Sequence, residues 1–283
     1  MPFVISGDAK IYYEVKGSGP PLVLVEGLGY ASWMWFFQVE DLSRDHKLVI
    51  FDNRGAGKSD KPNYPYTMEM FAEDLRTIIR EVLLDSPAHI LGVSMGGMIA
   101  QEFALKYPSL VKSLILVSTH HGGRDIDPTP PETLQAMFGE PPPHIKSERG
   151  LYRYKMSFAL SREWINSNRE VLERIIDLRL REPQPQEAYI NQARAVIGFD
   201  VSKRLHEITA PVLIVHGDQD RVVPVGNAYK LHERIRNSSL AIFRGAGHLV
   251  IMERPADFNN LVRVFVREVE GGSYTPRREP VFL

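Results

Sequence analysis

Short apolar runs punctuate the chain at residues 22–25 (LVLV), 47–51 (KLVIF), 88–91 (AHIL), 114–118 (LILVS), 211–216 (PVLIVH) and 240–243 (LAIF). Runs of this length and composition predict strands buried on both faces. Upstream, residues 3–6 and 10–15 flank Gly7 and Asp8, the pattern of a hairpin with a tight turn. Helical spacing fills the intervals. An aromatic segment carries Trp33, Trp35, Phe36 and Phe37. Thr67 caps a face of Met70, Phe71, Leu75, Ile78, Ile79 and Leu83. Met98, Ile99, Phe103 and Leu105 form another buried face that stops before Pro108. A helix spans residues 228–235, and a last one starts near Pro255 with Phe258, Leu261, Val262, Phe265 and Val266. Eight strands alternating with helices predict an α/β fold with a mostly parallel sheet covered on both sides. In such sheets chemistry collects at the carboxyl ends of the strands.

The texture changes after His121. Residues 122–208 read as helical and proline-broken, with no buried-strand run, and Pro128, Pro130, Pro131, Pro141, Pro142 and Pro143 mark the entry. A connection of that length within a compact α/β unit predicts an inserted helical cap. The expected organisation is a core of residues 1–121 and 209–270, a cap of 122–208, and a polar tail of 271–283 that frays.

Composition narrows the chemistry. The 283 residues carry 34 Lys and Arg against 35 Asp and Glu, so no nucleic-acid partner is implied. There is no cysteine, which excludes disulfides, thiolate metal sites and a cysteine nucleophile. No signal peptide and no membrane-spanning window is evident, so the expected location is cytoplasmic. Neither a phosphate-gripping loop nor a metal-binding His pair is present, so the expectation is no cofactor and no metal.

Residues 92–97, GVSMGG, sit between a strand and a helix and put Ser94 at the apex of a tight turn. A serine there is exposed above the sheet at a helix N-terminus, the setting of a nucleophile. A serine hydroxyl needs a base, and the base needs an orienting carboxylate. His248, in the glycine-lined loop RGAGH after the last strand, is the expected base. The loop GDQDRVVP (217–224) offers two acids. Asp220 is the expected partner, with Asp218 expected to bond its own loop's amides.

The elbow, the FDNRGAGKSD segment (51–60), the GDQDRVVP loop and the GAGH loop followed by Glu253-Arg254-Pro255 together resemble the α/β-hydrolase superfamily, over the chain to Gly271. The resemblance implies an α/β-hydrolase fold with an eight-stranded sheet and a Ser94–His248–Asp220 triad. It also implies an oxyanion hole from the backbone N–H groups of Leu28 and Met95. One departure stands out. The loop reads Glu26-Gly27-Leu28-Gly29, where the family usually has His before the first glycine. Glu26 is expected to point away from the oxyanion or to pair with a cation such as Arg54.

Expected substrate contacts are Gly27, Gly29, Trp33, His120, Met137, Trp164 and Leu249. Met137, Phe138, Met156, Phe158 and Trp164 would form an apolar roof that favours a hydrophobic acyl group over a charged one. The reading is a serine esterase of small to medium apolar or aromatic esters. It would act on a small-molecule ester or lactone as a monomer or homodimer. Three rivals share the machinery: an enol-lactonase or carbon–carbon bond hydrolase, a cofactor-free haloperoxidase or perhydrolase, and a non-catalytic ligand receptor. The enol-lactonase alternative predicts cationic cap residues such as Arg149 or Arg153 turned inward. A dehalogenase would need Asp in place of Ser94.

Overall fold

The computed structural model describes residues 2–283. Nine strands form one sheet: β1 Phe3–Ser6, β2 Ala9–Lys16, β3 Pro21–Val25, β4 Lys47–Phe51, β5 Ala88–Val93, β6 Val111–Val117, β7 Val212–Gly217, β8 Ser238–Phe243 and β9 Val281–Phe282. Their order is β1-β2-β4-β3-β5-β6-β7-β8-β9. β1 and β2 pair antiparallel, as does β2 with β4, and every later pairing is parallel.

Alternation explains why the central strands read as unbroken apolar runs. Val23 of β3, Val49 and Phe51 of β4, Leu114 and Leu116 of β6 and Ile214 of β7 face one layer of helices. Leu24, Leu48, Ile50, Ile115, Val117 and Val215 face the other. Each side chain therefore enters a core whichever way the pleat turns it. The helix Met68–Leu83 is capped as expected, with the Thr67 hydroxyl accepting the Met70 N–H at 3.3 Å. It ends at Leu84, in left-handed geometry at φ 52°. Among the described residues no helix is long and apolar enough to cross a membrane.

Two expectations are corrected. The sheet has nine strands rather than eight, and the tail of residues 271–283 is not frayed. Tyr274 stacks edge-on against Phe265 at 5.2 Å and donates its hydroxyl to the Val212 carbonyl at 3.2 Å. The Arg277 N–H reaches the Ser239 hydroxyl at 3.0 Å, and β9 adds in parallel to the free edge of β8. A bare sheet edge with unpaired amides captures even a two-residue strand, which no local propensity announces.

Between β6 and β7 lie the helices Pro131–Phe138, Glu148–Ala159, Arg162–Ser167, Arg169–Arg181 and Gln186–Gly198, with no strand among them. The segment's two ends meet in a bridge between Gly122 and Asp200, and the Val201 N–H donates to His121 O at 2.9 Å.

Candidate active site

β5 runs into Ser94, whose backbone at φ 55° and ψ −116° breaks directly into the helix Met95–Lys106. A non-glycine residue there stores about 1–3 kcal/mol of strain. The turn closes because two neighbours lack side chains: a Cβ on Gly92 would overlap the Gly96 carbonyl, and one on Gly96 would overlap that of Val25. The Ser94 N–H donates to Val117 O at 2.8 Å, and the Thr119 hydroxyl donates to Ser94 O at 2.8 Å, fixing the apex from both sides.

Asp220 and His248 meet as the sequence suggests. His248 Nδ1 lies 2.8 Å from Asp220 Oδ2, and both residues are buried. The other carboxylate oxygen accepts the Val222 and Val223 N–H groups, each at 2.8 Å. A second histidine joins them: His216 Nε2 lies 3.1 Å from Asp220 Oδ2 and 2.8 Å from Val223 O. Burial alone would push the Asp220 carboxyl up, but the two histidines outweigh it and hold it well below the usual carboxylate range. With an acceptor facing Nδ1, the neutral His248 ring keeps its proton there and leaves Nε2 free as a base. Asp218 takes a different part from the one expected, accepting the Gly245 N–H of the histidine loop at 2.7 Å.

The histidine loop is held from beneath and above. Glu253 accepts the Gly247 N–H at 2.8 Å and the Ser161 hydroxyl at 2.6 Å. The His248 N–H donates to Ala159 O at 2.9 Å. Ser94 and His248 then line one cavity of about 360 Å³, though no direct hydrogen bond joins them among the described residues.

The loop after β3 lies against the elbow: a Cβ on Gly27 would sit 3.4 Å from Ser94 Cβ. Among the described residues neither the Leu28 nor the Met95 N–H has a protein acceptor, and Leu28 lines the cavity. Glu26 does not pair with Arg54. It is fully buried and accepts the Asn53 N–H, while Arg54 forks onto Asp74 with two bonds of 2.7 Å. Burial, and then the charge of Asp52, push the Glu26 carboxyl well above the usual range, and its Oε2 has no partner among the described residues.

Of the expected substrate contacts, His120 and Met137 line the cavity with Leu28. Gly27, Gly29, Trp33, Trp164 and Leu249 do not. Gly27 is pressed on Ser94, and the space a Cβ would need at Gly29 is filled by Arg179 and Tyr189. Trp33 packs against Tyr30 at 5.4 Å and borders a separate groove with Phe36 and Arg174. Trp164 borders a shallow groove beside Arg244 and Arg254, and Leu249 is buried in the core. The roof is also less apolar than expected. Met137, Phe138 and Met156 contribute to it, but so do Lys155, Arg179 and Tyr189, while Phe158 turns to Tyr154 at 5.3 Å. Arg149 and Arg153 do not turn inward; they are spent on Glu173 and Asp177 at the outer face.

Burial pushes the His120 imidazole down to about 4, with the neighbouring histidines adding to it. Its Nδ1 accepts the Gly122 N–H at 3.0 Å, so the neutral ring carries its proton on Nε2.

A model of the α/β-hydrolase fold matches residues 20–255. The chain is a member of the α/β-hydrolase family. Among relatives of this α/β-hydrolase is a protein provisionally named carbamate hydrolase RutD from Azorhizobium caulinodans, 28% identical over 95% of this chain and 100% of that protein. The solved structure of Est816, described as an N-acyl homoserine lactone degrading enzyme, aligns with a TM-score of 0.79 at 28% identity, covering 93% of this chain and 100% of that one. A thermophilic esterase from Thermogutta terrifontis aligns with a TM-score of 0.80 at 25% identity, covering 95% and 99%.

Sequence reasoning missed the residues that brace this α/β-hydrolase's loop at Gly29. Gln192, fully buried, accepts the Gly29 N–H at 3.2 Å and donates to Arg54 O at 2.9 Å. Arg179 donates to Gly29 O at 2.7 Å, and Gln184 bridges Gln192 Oε1 and Gly55 O at 3.0 and 2.7 Å. Gln192 in a helix and Gln184 in the loop before it carry no chemical signature. His216 had one available signal, its place four residues before the chosen aspartate at the end of a buried strand.

Proposed function

We propose that this protein is a serine hydrolase of carboxylic esters and lactones. Ser94 Oγ attacks the acyl carbon as His248 Nε2 takes its proton, and Asp220 holds the resulting imidazolium. The Leu28 and Met95 N–H groups receive the oxyanion. Collapse of the tetrahedral adduct expels the alkoxide with the proton from His248, leaving an acyl-serine. Water, deprotonated by the same histidine, attacks that ester, and the acid leaves as the proton returns to Ser94. Residues 122–208 act as a cap over the reaction, and 1–121 with 209–270 form the catalytic core.

The observation that carries the reading is the Asp220–His248 bond of 2.8 Å behind a cavity that Ser94 also lines. The lactone-degrading and esterase relatives are consistent with it. A cavity of about 360 Å³ suits a small to medium acyl group. A p-nitrophenyl ester series from acetate to decanoate, run beside acyl lactones, tests the proposal. Turnover that peaks at one chain length is expected. Folded protein that turns over neither class would refute it.

A further inference from the structure

The helices Glu148–Ala159 and Arg169–Arg181 pair two cations on the outside and leave two unpaired on the inside. Arg149 and Arg153 share Glu173 and Asp177. Lys155 and Arg179, on the same two helices, line the cavity, and neither has a carboxylate within ion-pair distance among the described residues. Lys155 Nζ donates to Met137 O at 2.9 Å and lies 5.3 Å from the centre of the Tyr189 ring. The Arg179 guanidinium donates to Gly29 O and stacks on Tyr30 and Tyr152 at 4.6 and 5.0 Å. The Tyr189 hydroxyl has no protein partner among the described residues, and burial pushes its phenol up to about 12, so it stays a donor.

Two cations and a phenol thus line a cavity whose other walls include the apolar Leu28, Met98, Ile126, Met137 and Phe199. A charge in such surroundings is costly unless a counter-charge meets it. Burial pushes the Lys155 ammonium down and Arg179 adds to that, with no acidic group opposing them. A bound anion would answer both charges at once.

We propose that Lys155, Arg179 and Tyr189 form a carboxylate subsite, so that the substrate is an ester or lactone whose apolar acyl chain also carries a carboxylate. The reaction rests on the hydrolase reading above; the binding does not. Charge-assisted hydrogen bonds of this kind correspond to about ten- to a hundredfold in affinity.

The test separates the two. In full-length Ser94→Ala protein, calorimetry compares monomethyl suberate, which has a carboxylate, with dimethyl suberate, which is neutral. The half-ester is expected to bind about tenfold or more tightly than the diester. That ratio should fall toward one in Lys155→Met and Lys155→Gln, survive Lys155→Arg, and survive Arg153→Met on the outer face. A parent ratio of one or below overturns the proposal whether or not the variants fold, as does a ratio that Lys155→Met and Lys155→Gln leave unchanged. Wild-type hydrolysis of the two esters, followed by pH-stat, reads the chemistry separately. Preferential binding by a protein that turns over neither these esters nor the p-nitrophenyl and lactone series would sink the hydrolase reading and keep the subsite. Turnover without preference would do the reverse.

Discussion

Gln192→Leu removes one side chain that ties the helix Gln186–Gly198 to two loops of the sheet. Leucine has nearly the same bulk and no polar atom. The Gly29 N–H, now 3.2 Å from Gln192 Oε1, and the Arg54 carbonyl, 2.9 Å from its Nε2, would both be stranded. A buried unsatisfied group costs about 1–3 kcal/mol, so two cost about 2–6 kcal/mol. That is a large share of the roughly 5–15 kcal/mol that holds an ordinary domain. Catalysis should suffer too, because Gly29 is the neighbour of Leu28, the proposed oxyanion donor. Complete loss of one such donor lowers kcat by about a hundred- to a thousandfold, which bounds the effect of a loosened loop. Urea denaturation should show a lower midpoint with an unchanged slope, and steady-state kinetics should show kcat falling at least about tenfold with KM little altered. A stability loss under about 1 kcal/mol together with kcat within about twofold of wild type would refute the clamp.

Asp220→Asn keeps the shape of the acid but loses its charge between two histidines, and kcat should fall by about a thousand- to ten-thousandfold in the ester assay. Glu26, raised by burial, holds a proton in the folded state that the unfolded chain releases, so its contribution is full below the ordinary carboxyl range and is lost as pH rises. Glu26→Gln should therefore gain on wild type in denaturation midpoint as pH increases from 5 to 8. His120, pushed down to about 4, acts in the opposite sense: stability present above 6.5 is lost as pH falls toward 4, and the buried His89 and His121, also lowered, add to it. His120→Asn should flatten part of that acid limb in thermal melts.

What the sequence made legible was whatever depends on near neighbours. The elbow required Gly92 and Gly96 beside Ser94 because their absent side chains are what let the turn close, and a turn of that kind is visible in six residues. The strands were visible because burial on both faces leaves their central runs, such as LVLV and LILV, without a polar position. Contacts that cross long stretches of chain were not visible. Gln192 meets Gly29 across 163 positions, and nothing local marks it out. Trp33 and Trp164 look like cavity walls in one dimension, yet both pack into other grooves, because aromatic content does not say which face of an element is turned inward. Glu26 was expected to point away from the oxyanion or to pair with a cation such as Arg54, but Arg54 was already committed to Asp74. β9 formed because β8 had a free edge.

The central claim is that Ser94 is the nucleophile activated by His248 and Asp220. Intact-mass analysis after treatment with an alkyl fluorophosphonate tests it most directly. Ser94 Oγ would bond to phosphorus as fluoride leaves, with the hydroxyl proton passing to His248. The account predicts one adduct per wild-type chain, mapped by peptide analysis to Ser94, with none in Ser94→Ala and much slower labelling in Asp220→Asn. An unlabelled wild type that is folded, or an adduct at any other residue, would contradict it.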